Sequence, residues 1–149
     1  MTALFAVTSA IDSNLCRKFH YAKVLSPSSQ RSAPIRFLQF NLLADGLSGL
    51  SPDLGSFSRI SAEMINWEFR KVNLLLEILR YDPDIVTLQE CDHFDDFFLP
   101  ELSAKGYSGI FYPKPSSPCL HYSDRADGCA IFWKNSRISV LTSKVLQII

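Results

Sequence analysis

The chain has 149 residues, 47% of them hydrophobic and 20% charged, enough apolar material for one core-forming domain and too much for a disordered chain. Fifteen Lys and Arg balance fifteen Asp and Glu, which excludes a whole-molecule electrostatic pull on nucleic acid or on a membrane surface. No apolar run approaches the roughly 20 residues that span a bilayer, so no membrane partner is expected.

Residues 1–34 are rich in Ser and carry Arg17, Lys18, Lys23 and Arg31 against a single acid, Asp12. The opening "MTALFAVTSA" has no basic residue ahead of its apolar stretch, unlike a secretory signal. This composition suits a mitochondrial transit peptide and a disordered leader equally well. "SPSSQRSAP" (Ser26 to Pro34) reads as a linker, so the folded part, 35–149, is expected to begin near Ile35. Cys16, Cys91, Cys119 and Cys129 form no CxxC and no paired-His spacing. That pattern argues against a zinc site or a disulfide partner and for reduced thiols in a cytoplasmic or mitochondrial setting.

"IRFLQFN" (Ile35 to Asn41) is apolar on both faces, the pattern of a strand covered on both sides. A long connection punctuated by Gly, Ser and Pro follows. Ile65, Phe69, Val72, Leu76 and Leu79 then fall on one helical stripe, with Asn66 able to cap the first turn. Asp82-Pro83 stops that helix, and "DIVTLQE" (Asp84 to Glu90) is the second strand. A strand–helix–strand unit implies a right-handed crossover and parallel strands. Parallel neighbours lie about 4.8 Å apart, so Asn41 and Glu90 would emerge together at the carboxyl edge, where open α/β sheets bind ligands. A charge at a buried strand tip is unfavourable unless something pairs with it, which marks Glu90 as a candidate ligand. Asp92, Asp95 and Asp96 read instead as the acidic start of a helix through "FDDFFLPELSAKG", closed by Gly106. Two more strands are expected around "YSGIFY" and "GCAIFWK", separated by the loop "PKPSSPCLHYSDRAD". "ISVLTSKVLQII" reads as one or two further strands, and the whole as an α/β fold without internal repeats.

"FLQFNLLA", "INWEFRKVNLLLEILRYDPDIVTLQECDHF" and "GYSGIFYPKPSSPC … DGCAIFWK" resemble the N-terminal half of the endonuclease/exonuclease/phosphatase superfamily. Within it they look like the branch of nocturnin and related poly(A)-shortening enzymes. The likeness runs from about Ile35 to Lys134. It implies a partial four-layer α/β sandwich with its C-terminal half missing, and a metal-dependent phosphohydrolase. By the same resemblance Glu90 is the metal ligand for Mg²⁺, or alternatively Mn²⁺, Asn41 lines the same catalytic site, and Lys114 contacts substrate phosphate. Read without the family, Lys114 is an exposed loop lysine. The implied substrate is NADP(H), through its 2′-phosphate, or the 3′ end of poly(A) RNA, and the "PKPSSPC" loop favours the former.

Other residues read as structural. His93 is expected to pack or cap and His121 to be solvated, while Trp67, Phe69, Phe94, Phe97 and Phe98 have core spacing. Arg125 and Asp127 border the substrate side in such an architecture, with Arg125 the weaker phosphate candidate. The superfamily's Asp-x-Asn and Ser-Asp-His motifs do not follow Lys134; "DSN" (Asp12 to Asn14) lies in the leader and "SDR" (Ser123 to Arg125) is not the histidine motif. The expectation is a chain with little turnover alone and one exposed apolar sheet face. The alternative function is a non-catalytic interaction fragment or short isoform.

Overall fold

The computed structural model describes His20 and residues 33–48 and 60–146; most of the expected leader and of the connection before Ser61 lies outside these residues. The predicted strand–helix–strand unit opens the fold. Strand β1, Phe37–Asn41, pairs in parallel with β2, Ile85–Cys91, setting Phe37 opposite Ile85 and Asn41 opposite Gln89. Between them run a short helix α1, Ala62–Ile65, and the longer α2, Trp67–Arg80. Asn66 separates the two. Its backbone is extended and its side-chain oxygen accepts from the Glu68 amide at 2.8 Å, capping α2 as its sequence position suggested.

The buried stripe of α2 differs from the expected one. Leu75 and Ile78 are buried, Trp67, Leu74 and Leu79 pack against the core, and Phe69 is half exposed. "VNLLLEIL" is apolar at so many positions that several stripes fit it. Contact with the sheet decides among them, and the stacking of Trp67 on His93, at 3.8 Å between ring centres, fixes the rotation at the helix start.

After β2 the chain winds a π-helical turn, Phe94–Phe98, into α3, Leu99–Ser103. The wider turn, with the Phe98 amide donating to the His93 carbonyl, buries Phe94 and Phe98 together. Gly106, at φ +85°, ends the segment where an L side chain would be strained. Strands β3, Tyr107–Pro113, and β4, Gly128–Lys134, pair antiparallel, and β4 also pairs antiparallel with β2, giving the order β1-β2-β4-β3.

Period-two alternation splits this sheet into two unlike faces. Leu38, Val86, Leu88, Ala130 and Phe132 point into a core shared with Leu75, Ile78, Phe94, Phe98 and Leu102. The other face carries Phe37, Ile110, Tyr112 and Ile131, each 38–54% exposed. Among the described residues β1 is therefore covered on one side, not two. Residues 138–146 form no strand either. A strand exists only as half of a ladder, and none of the pairings in this sheet includes these residues. Among the described residues no helix is long and apolar enough to cross a membrane.

Candidate active site

The carboxyl ends of β1 and β2 hold the polar pair that the topology predicts. The Asn41 side-chain amide donates to Glu90 Oε1 at 2.7 Å. Two backbone amides complete the arrangement: Leu43 N donates to Asn41 Oδ1 at 2.9 Å, and Ala44 N reaches Glu90 Oε2 at 3.4 Å. Glu90 occupies an irregularity in the β2–β4 pairing between Leu88 and Cys91, and its φ is +53°. A bulge of this kind re-aims a side chain at a sheet rim. Here it turns the carboxylate across to β1.

Lys114 immediately follows β3, and its amide donates to the Asp127 carbonyl at 2.8 Å. It lines the same hollow of about 300 Å³ as Asn41 and Glu90, together with Gln89, Tyr112, Asp127, Gly128 and Cys129. All three residues proposed from the sequence thus border one open space. The loop that delivers Lys114 is tied at its base. Ser117 Oγ donates to the Asp127 carboxylate and accepts from the Asp127 and Cys119 amides, at 3.0 and 3.2 Å. Gly128 is needed at this turn, because a Cβ there would meet the Tyr112 carbonyl at 2.2 Å.

Several expectations change. Asp92 does not serve the helix start: it is buried and accepts from the Gly46 amide at 3.2 Å, and burial pushes its carboxyl pKa up. Asp95 and Asp96 do open the π-helical turn. Arg125 lies outside the Glu90 hollow, beside Asp96 at 3.4 Å and Asp124 at 3.6 Å, on a separate depression lined by Asp45, Asp92 and His93. His93 packs, being buried, stacked on Trp67 and bonded to Asp96 at 2.8 Å. Buried Cys91 and Cys119 have thiols pushed up to about 12 and about 11, chiefly by desolvation, so they are poor nucleophiles.

Tyr112, Gln89 and Cys129 were not picked out from the sequence. Only the register that sets Tyr112 opposite Cys129 and Asn41 opposite Gln89 brings them to this rim.

Among the described residues no group of three or more His, Cys, Asp or Glu is placed to hold a metal. A soft, fully protein-ligated centre is therefore not built there. One carboxylate, oriented by the Asn41 side-chain NH₂ and bordering the hollow that Lys114 also lines, fits a hard cation that needs only one protein carboxylate, keeps its waters and takes phosphate oxygens.

Residues 38–147 match the model of the Endonuclease/Exonuclease/phosphatase family. The chain belongs to that family. Nocturnin of Rattus norvegicus is 44% identical over 122 residues, 80% of this chain and 28% of the relative. The human Nocturnin catalytic domain, solved with a bound sulfate anion, is 45% identical, with a TM-score of 0.57 over 70% of this chain and 34% of that one. ANGEL2, a 2′,3′-cyclic phosphatase, is 27% identical, with a TM-score of 0.58 over 72% of this chain and 28% of that one. The chain thus spans about a quarter to a third of the length of these three relatives, and the part it shares with them is the mixed α/β layer.

Proposed function

We propose that this chain supplies the metal-and-phosphate side of a nocturnin-like phosphohydrolase. The observation that carries the reading is the 2.7 Å contact between Asn41 and Glu90 at two adjacent strand ends, in a hollow that Lys114 also lines. Glu90, with Asn41 beside it, would hold Mg²⁺ or Mn²⁺. Held there, such an ion would supply Lewis-acid polarisation of a phosphoryl oxygen and offset its negative charge. Lys114 adds a point charge for phosphate, and Asn41 orients the carboxylate without adding charge.

The substrate we propose is a phosphoester on a ribose 2′ or 3′ oxygen: the 2′-phosphate of NADP(H), or the 3′ end of poly(A) RNA. The resemblance carried by the "PKPSSPC" loop favours the first. The absence of net charge weighs against tight RNA binding. Grafting residues 35–134 onto the rest of rat nocturnin, then assaying NADPH and oligo(A), tests this reading. Glu90→Ala should lower phosphate release on the order of a hundredfold or more, the scale of losing one preorganised electrostatic group. Unchanged activity would sink the metal role. The 149-residue chain alone is expected to turn over little, since positioning and proton transfer contribute further orders of magnitude.

One observation favours a second reading, that of a non-catalytic interaction fragment. Phe37, Ile110, Tyr112 and Ile131 leave one face of the sheet apolar and exposed, as association surfaces are.

A further inference from the structure

Arg70 sits one turn into α2, on the side facing the end of β1, and its side chain is only 11% exposed. Its Nη2 donates to two successive main-chain carbonyls, Leu42 at 2.7 Å and Leu43. Nη1 faces the Asp45 carboxylate at 3.7 Å. Burial pulls the guanidinium pKa down, against the opposing pull of Asp45 and Asp92. An arginine drawn into such a place gives up solvation that a helix surface would have left it.

What Arg70 grips is the turn that orients the rim pair. Leu43 lies at φ +56°, a conformation that disfavours a branched apolar residue by about 1–2 kcal/mol. That turn presents Leu43 N to Asn41 Oδ1 and Ala44 N to Glu90 Oε2. Without a hold on the Leu42 and Leu43 carbonyls, the turn is free to relax out of the left-handed region, and both amides leave their acceptors.

We propose that Arg70 is a positioning residue for the Asn41–Glu90 pair, acting through the Leu42 and Leu43 carbonyls and touching neither side chain itself. The proposal rests on reading that pair as the site. Lysine keeps the charge, but its single nitrogen on a flexible stem lacks the rigid planar fork that holds Nη2 on both carbonyls while Nη1 faces Asp45 at 3.7 Å.

The test follows the Asn41 side-chain NH₂ by NMR in the full chain, free of metal and then titrated with Mn²⁺, for the parent, Arg70→Lys, Arg70→Met and Glu90→Gln. Circular dichroism reports folding in parallel. Arg70→Lys should keep the parent spectrum and helix content, yet move the Asn41 NH₂ signal toward its position in Glu90→Gln. It should also raise the Mn²⁺ concentration for half-broadening at least tenfold. A parent-like Asn41 signal in folded Arg70→Lys overturns the proposal. Failure of both Arg70 variants to fold also overturns it, because Arg70 is then a residue of the fold. Should the parent itself show no Mn²⁺ broadening, the metal reading fails, and the metal-free Asn41 signal still decides the role of Arg70.

Discussion

Glu90 is held at φ +53°, where a side chain with a Cβ is disfavoured by about 1–2 kcal/mol. The left-handed conformation makes a sharp prediction at the scale of one residue. Glu90→Ala and Glu90→Gly lose the same carboxylate and the same contacts to Asn41 and Ala44, and differ mainly in their tolerance of positive φ. Glycine should therefore be the more stable variant by about 1 kcal/mol in urea unfolding, the reverse of its usual rank against alanine in a strand. An alanine variant as stable as the glycine variant would show that the backbone relaxes without the carboxylate. Strain at a rim residue accords with a functional position rather than an optimised one. The sequence made Glu90 legible as a charge at a strand end; its φ was not, because the bulge arises from pairing with β4, some forty residues away.

At the scale of elements, the loop between β3 and β4 decides where Lys114 stands. Ser117 and Asp127, both buried, close that loop at its base, and Asp127 in turn takes the Lys114 amide on its carbonyl. Ser117→Ala removes a hydroxyl that serves three partners and leaves the buried Asp127 carboxylate short of a donor. We expect a loss of about 1–3 kcal/mol, with faster amide hydrogen exchange at Lys114 and Asp127 and little change in α2. Unaltered exchange at those two amides would mean that the knot does not hold the loop. The sequence marked Lys114 in this loop by resemblance but not the Ser117–Asp127 knot, since a bond between residues ten apart leaves no periodic trace. Helix α2 shows the complementary limit. Its cap at Asn66 and its stop at Asp82-Pro83 were legible as local chemistry, whereas its buried face was misassigned, because an apolar-rich run does not say where the sheet lies.

At the scale of the whole molecule, the exposed face of the sheet is the feature most open to test. Ile131 lies in its middle, opposite Thr87 on β2 and Ile110 on β3. Its side chain points away from the core that Phe132 enters. If the face drives association, the parent should sediment as a concentration-dependent mixture and Ile131→Lys should shift it toward monomer with an unchanged circular dichroism spectrum. Identical sedimentation of the two would remove the argument for an interaction surface.

The sequence by itself determined what depends on near neighbours: the strand or helix character of β1, β2 and α2, the cap and the stop, and the presence of an amide and an acid at two strand tips. It also carried enough family likeness to anticipate the α/β layer and the similarity to nocturnin. Tertiary structure alone decided that Asn41 bonds Glu90, that Lys114 borders the same hollow while Arg125 does not, and that Asp92 and Arg70 anchor the turn beside them. The reason is reach. Periodicity and capping act over a few residues, but a site is assembled by ladders and buried bonds between residues up to about fifty apart, whose register only the folded chain sets.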